Sequence, residues 1–148
     1  METQAGTRWK RVETELDDLW FPEIEIAHGG ASEVWLSLVG GSHPSDRKFD
    51  GNRFYSVRFQ GAEFLCVVEE RVYWSVCEES DRPSAAISEI ENSKLLEKIR
   101  PHIADTLKHF LVCGGNVCCE VIAYDQIEVA RHPSRSAANS APNSRVFQ

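Results

Sequence analysis

The stretch FYSVRFQGAEFLCVVEERVYWSVC, residues 54–77, decides the fold. Tyr55, Val57 and Phe59 alternate with Phe54, Ser56 and Arg58, the period of two that sends successive side chains to opposite faces of a strand. Gln60-Gly61 reads as a tight turn into a second apolar run, Glu63-Phe64-Leu65-Cys66-Val67-Val68. A third run sets Val72, Trp74 and Val76 on one face and Tyr73, Ser75 and Cys77 on the other. Short strands separated by closely spaced turn signals point to an antiparallel sheet or a partial barrel.

The same period extends outward in both directions. Upstream, Ile24 and Ile26 alternate with Glu23 and Glu25, and Gly29-Gly30 supplies a turn. Val34, Leu36 and Leu38 then alternate with Glu33, Trp35 and Ser37 before Gly40-Gly41. Residues 42–52 are dense in Gly, Pro, Ser, Asp and Asn and read as a loop. Downstream, Phe110-Leu111-Val112-Cys113 and Val117 to Ala123 flank Gly114-Gly115-Asn116, a hairpin signature. Ile127-Glu128-Val129 adds a last short strand. The sheet expected from these runs has about 6–7 strands.

Two segments carry helical spacing instead. Trp9, Val12, Leu16, Leu19 and Trp20 fall three or four apart and predict an N-terminal helix over 7–20 that ends before Pro22, although two Trp and a Val suit a strand as well. Ile87, Ile90, Leu95, Leu96, Ile99, Ile103 and Leu107 predict a kinked helix or helix pair over 84–108, broken near Pro101, with Ser84 and Ser93 as N-caps. The class expected is α+β. Residues 1–130 form a single acidic domain in this reading, and the Pro-, Ser-, Asn- and Ala-rich residues 131–148 form a disordered tail.

Charge narrows the partners. Residues 1–130 hold all 23 acidic and 13 of the 16 basic residues, so the expected domain carries −10 against −7 for the whole chain. A field of that sign repels phosphate backbones, so nucleic acid is not an expected partner and a cationic protein is. The sequence contains neither a bilayer-length apolar run nor a signal-peptide pattern at its start, so a soluble cytoplasmic protein with no membrane partner is expected. Cys66, Cys77, Cys113, Cys118 and Cys119 all lie in apolar runs, as buried free thiols do.

Four groups of residues carry candidate chemistry. His109, Cys113, Cys118, Cys119 and Glu120 have metal-ligating atoms. In an extended strand, however, His109 stands four residues from Cys113, roughly 13 Å at about 3.3 Å per residue, and Cys119 faces away from Cys118. Two or three converging ligands do not make a zinc site, so neither metal nor cofactor is expected; a core hairpin of thiols, with Cys113 and Cys118 facing each other, is. None of His28, His43, His102, His109 and His132 sits in a local motif that activates a Ser or Cys nucleophile. The glycine pairs connect strand to strand, not strand to helix as a phosphate loop does. Glu69, Glu70, Glu78, Glu79 and Asp81 are the remaining candidates, as a partner-binding acidic surface.

The function expected is therefore non-enzymatic. An acidic, aromatic-rich domain without a catalytic motif suits a 1:1 inhibitor of a cationic protein, in the manner of immunity proteins that occlude the active site of a nuclease-like toxin. The alternative is a small-molecule-binding or enzymatic domain with a pocket between the sheet and the helices of 84–108, lined by residues such as Trp35, Tyr55, Tyr73 and Trp74. A filled core with an acidic face would favour the first; a His and a carboxylate converging on a cavity would favour the second.

Overall fold

The computed structural model describes residues 9–18, 22–30, 32–41, 48, 50–76, 83 and 85–140. Its elements run β1 (Trp9–Arg11), β2 (Glu23–Gly30), β3 (Ser32–Val39), β4 (Phe54–Ala62), β5 (Phe64–Glu69), α1 (Glu70–Val76), β6 (Ile87–Ile90), α2 (Lys94–Ile99), β7 (Lys108–Cys113), β8 (Val117–Ala123), β9 (Ile127–His132) and α3 (Arg135–Asn139). Short 3-10 turns cover Glu15–Asp18 and Arg100–His102. The strands form two sheets, ordered β1-β6-β7-β8-β5 and β2-β3-β4-β9. Every pairing is antiparallel.

The sheets meet through the faces that alternation marked as apolar. Val34, Leu36 and Leu38 of β3 and Tyr55, Val57 and Phe59 of β4 pack with Phe110 and Val112 of β7 and Cys119 and Val121 of β8. Phe59 and Phe110 stack across the gap with ring centroids 5.6 Å apart. Each large apolar side chain removed from water there contributes roughly 1.5–3 kcal/mol before entropy is set against it.

The five-stranded sheet is also covered on its other face. Tyr73 and Trp74 of α1 pack with Ile90, Leu111, Cys113 and Cys118, and Trp9 and Val68 border them. Trp74 makes edge contacts to both Tyr73 and Trp9. Strands β7 and β8 are thus buried on both faces, which is why their sequences run apolar almost without interruption.

Two joints hold the sheets in register. Gly61 has no partner in the β3–β4 ladder, where Ser32 pairs Ala62 and Glu33 pairs Gln60. Its φ of 66° and the Tyr124 ring that a Cβ would strike suit glycine alone. The chain turns there from one sheet into the other, so β5 pairs β8 and not β4. The second joint is Asn116 at the β7–β8 tip. Its Oδ1 accepts the Ile24 N–H at 2.9 Å, and its Nδ2 donates to the Ile24 carbonyl at 2.7 Å.

The α+β class and its antiparallel sheets agree with the sequence reading; several details do not. Two packed sheets, with nine strands among the described residues, stand where a single antiparallel sheet or partial barrel of about 6–7 strands was expected. In place of the N-terminal helix stand β1 and a 3-10 turn, with Trp9 bordering the α1-side cluster while Leu16 enters the inter-sheet core; Leu19 and Trp20 lie outside the described residues. The expected strand 72–77 is helix α1 through Val76, with Tyr73 and Trp74 both buried and Val72 exposed. The expected helices of 84–108 are β6, the one-and-a-half-turn α2 and a 3-10 turn containing Pro101. Residues 131–139, read as the start of a tail, form the end of β9 and then α3, tied to Glu25 by Arg135 at 3.0 Å and Asn139 at 3.0 Å.

Asn116→Ala removes both side-chain bonds to Ile24 and leaves its backbone groups unpaired beside the core. Urea unfolding should show a loss of about 2 kcal/mol, with the m-value unchanged; a change under about 0.5 kcal/mol would remove this joint from the account.

Candidate active site

Alternation on β7 and β8 sends His109, Leu111 and Cys113, with Cys118, Glu120 and Ile122, to the face away from the inter-sheet core. Two of these are polar and nearly inaccessible: His109 and Glu120 are each 1% exposed. The register places His109 opposite Ile122 and Glu120 opposite Leu111, so the two are diagonal neighbours, a spacing that long side chains bridge. Glu120 Oε1 lies 2.6 Å from His109 Nε2, a close polar contact that falls short of hydrogen-bond alignment. Glu120 Oε2 has no hydrogen-bond partner among the described residues.

The other ring nitrogen reaches α2. Ser93 caps that helix with an extended backbone, and its Oγ accepts the Leu96 N–H at 3.0 Å. The same Oγ stands 2.6 Å from His109 Nδ1. A neutral ring that keeps its proton on Nε2, toward Glu120, presents Nδ1 as an acceptor, so the Ser93 hydroxyl donates to it. Hydroxyl, imidazole and carboxylate form one chain from α2 into the sheet. Ser93 is also the outermost of the three at 8% exposed, and it lines an open depression of about 370 Å³. Glu91, Asn92, Lys94, Leu96 and Arg100 form most of the rest of that lining. Arg100 braces its far wall, because its Nη1 donates to the carbonyls of Ala104, Asp105 and Leu107.

A serine hydroxyl bonded to an imidazole that is backed by a carboxylate is the arrangement that makes a weak nucleophile reactive. The ring is used in the opposite sense to the chymotrypsin type, with the hydroxyl on Nδ1 and the acid on Nε2. Either nitrogen is chemically able to take the proton. Imperfect alignment at one contact is common before substrate binds.

The other candidates disperse. Glu69 ends β5 and is paired with the exposed Arg71 at 3.0 Å, while Glu70 opens α1. Glu78, Glu79, Asp81, Cys77 and His43 lie outside the described residues. His28 and His102 are exposed. Cys119 faces the inter-sheet core, as alternation requires, and burial there pushes its thiol up to about 12. No group of three metal-ligating side chains occurs among the described residues. Trp35, Tyr55, Tyr73 and Trp74 are core residues and do not line the depression. The site missed from sequence is Ser93–His109–Glu120. Ser93 was readable as a cap, but the diagonal between His109 and Glu120 follows only from the strand register.

No helix among the described residues is long and apolar enough to cross a membrane. Comparison with protein-family models, with curated proteins and with solved structures finds no match.

Removing one member of the buried pair strands the other. His109→Leu and Glu120→Leu should each destabilise by about 3–5 kcal/mol, and the double variant should recover most of that loss. Additive losses in denaturant titrations would show that the two side chains do not act as a pair.

Proposed function

We propose that the chain is a hydrolase acting on small carboxylic esters, with Ser93 as nucleophile, His109 as general base and then acid, and Glu120 as the group that orients and stabilises the imidazolium. One observation carries this reading: a buried imidazole lies 2.6 Å from a carboxylate on one side and 2.6 Å from the hydroxyl of Ser93, a residue lining an open depression, on the other. Ser93 Oγ attacks the carbonyl carbon while its proton passes to His109 Nδ1. The imidazolium that forms is held by Glu120 and returns the proton to the departing alcohol. Water then takes the place of Ser93, with His109 again as base, and releases the acid. Asn92 and Lys94 flank Ser93 in the lining, and a tetrahedral oxyanion formed there would need N–H donors from such neighbours.

Ser93→Ala tests the nucleophile and Ser93→Asn separates it from the helix cap, since Asn caps as well as Ser does. A fluorophosphonate probe should add one label per chain, mapped to Ser93, and p-nitrophenyl acetate should be hydrolysed. Both variants should lose the label and fall at least about 10³-fold in ester turnover. Labelling elsewhere, or turnover unchanged in Ser93→Asn, overturns the reading.

A second reading is favoured by a different observation. The outermost strand β5 leaves Val67 47% exposed, α1 leaves Val72 46% exposed, and Glu69 lies between them in sequence on a strongly acidic chain. An immunity-type inhibitor would present such a corner to a basic, nuclease-like toxin in a 1:1 complex. Under this reading Glu69→Lys slows association with a cationic nuclease and flattens its salt dependence, whereas Ser93→Ala leaves both unchanged.

A further inference from the structure

The β7–β8 hairpin holds a second chemical pair, two residues beyond Glu120 on the same face. Cys113 stands directly across from Cys118 in the register. Gly114 N–H donates to the Val117 carbonyl at 3.0 Å, while Cys113 N–H points outward to Ala86 O at 2.8 Å. The cysteines therefore occupy a non-hydrogen-bonded pair, the closer of the two antiparallel positions, where opposed Cα atoms lie about 4.5 Å apart. That separation falls inside the span of a disulfide, about 4.4–6.8 Å.

Among the described residues, neighbouring cysteines do not compete for this bond. Cys119 faces the opposite side of the sheet and belongs to the inter-sheet core. Cys66 lies opposite Glu120 and so is diagonal to Cys118, about 7–8 Å away between Cα atoms and beyond the reach of an unstrained bridge. Both Cys113 and Cys118 are buried and in no disulfide, and Tyr73 and Trp74 of α1 pack against them. The hydrogen bond that the Cys118 thiol makes to Cys113, and then burial, push the Cys118 thiol well above the ordinary range. Thiolate forms there only when the cover is off, so a pair of this kind is silent while α1 is seated.

We propose that Cys113 and Cys118 are a reversible dithiol–disulfide pair whose oxidation by a small-molecule disulfide of the glutathione type is gated by α1. One cysteine, as thiolate, attacks a sulfur of the incoming disulfide and expels one small thiolate. The second cysteine attacks the resulting mixed disulfide, closing the Cys113–Cys118 bond and expelling the other. The two cysteines lose two electrons and two protons, and the reagent leaves as two thiols. The product staples the hairpin whose tip, Asn116, is bonded to Ile24. The inference does not depend on Ser93.

The full chain is incubated in glutathione buffers of stepped redox ratio, quenched by alkylation and mapped by mass. The expected result is a species 2 Da lighter with Cys113 and Cys118 both unalkylated, formed without denaturant and reversed by dithiothreitol. It should be absent in Cys118→Ser and Cys113→Ser and retained in Cys119→Ser. Tyr73→Ala, which thins the cover, should form it several-fold faster. Oxidation seen only in denaturant, a bridge to Cys119 or Cys66, or a rate indifferent to Tyr73→Ala each overturns the proposal. Ser93→Asn should oxidise like the parent chain, which keeps this result separate from the hydrolase reading.

Discussion

The burial of β7 and β8 on both faces is the constraint from which the rest of the molecule follows. A strand in that position has no solvated side on which to place polar residues, and an unpaired carboxylate in such surroundings costs several kcal/mol. Glu120 is nevertheless there, 1% exposed. It is tolerable only because the strand register brings His109 to it on the diagonal. The imidazole in turn has a second nitrogen to satisfy, and Ser93 meets it while capping α2. The position of α2 against the sheet is thus set by a chain of polar contacts that begins inside the sheet. Packing alone would allow a helix with no buried residue to slide.

The same burial explains how the two sheets are coupled. Since β8 is internal, β5 must reach its free edge by leaving the other sheet, and the positive φ at Gly61 makes that corner. Since β7 and β8 turn at the rim, the tip residue Asn116 is free to treat Ile24 as a neighbouring strand would, offering one donor and one acceptor. Glu25, at the bulge next to Ile24, performs a related task on the outer side by holding Arg135 and Asn139 of α3.

These facts also explain what was legible in the sequence. Strand 23–30 leaves one face largely in solvent, while 32–39 and the β4 run from Phe54, though buried on both faces, set Ser37, Ser56 and Arg58 on the face away from the core; all three announce themselves by alternation. Where both faces are apolar the signal inverts. Ile87 enters the inter-sheet core and Ile90 the α1-side cluster, and two apolar residues three apart on opposite faces of a strand imitate one helical face. Trp9 and Leu16 mislead in the same way, because each belongs to a different core. In α1 the error has the opposite sign: Val72 and Trp74 look like one strand face, yet the helix exposes the first and buries the second beside Tyr73. Ser93 was visible as a cap because capping is local. His109 and Glu120 are eleven residues apart; the expected facing of Cys113 and Cys118 already implies that they are diagonal across the hairpin, but distance along the strand from His109 to Cys113 hides that shorter path, and their burial follows only from the packing of the sheet.

A comparison within the molecule gives the constellation its weight. Ser56 and His132 also form a serine–histidine contact, at 2.8 Å, on the far face of the four-stranded sheet. Burial there lowers the His132 pKa, and the hydrogen bond of the ring is to the Ser56 hydroxyl. That contact shows what such a pair amounts to when it only satisfies polar groups at a strand end: one hydrogen bond and a ring held neutral. Ser93–His109 differs by continuing into a carboxylate that the sheet has no energetic reason to keep. A buried ion pair exchanged for apolar side chains of like volume is commonly neutral or stabilising, so Leu at both positions would serve the fold as well. Under the hydrolase proposal, the geometry retained by Glu120 is explained by the proton that His109 holds for a moment during turnover, and not by the stability of the strands on which both residues stand.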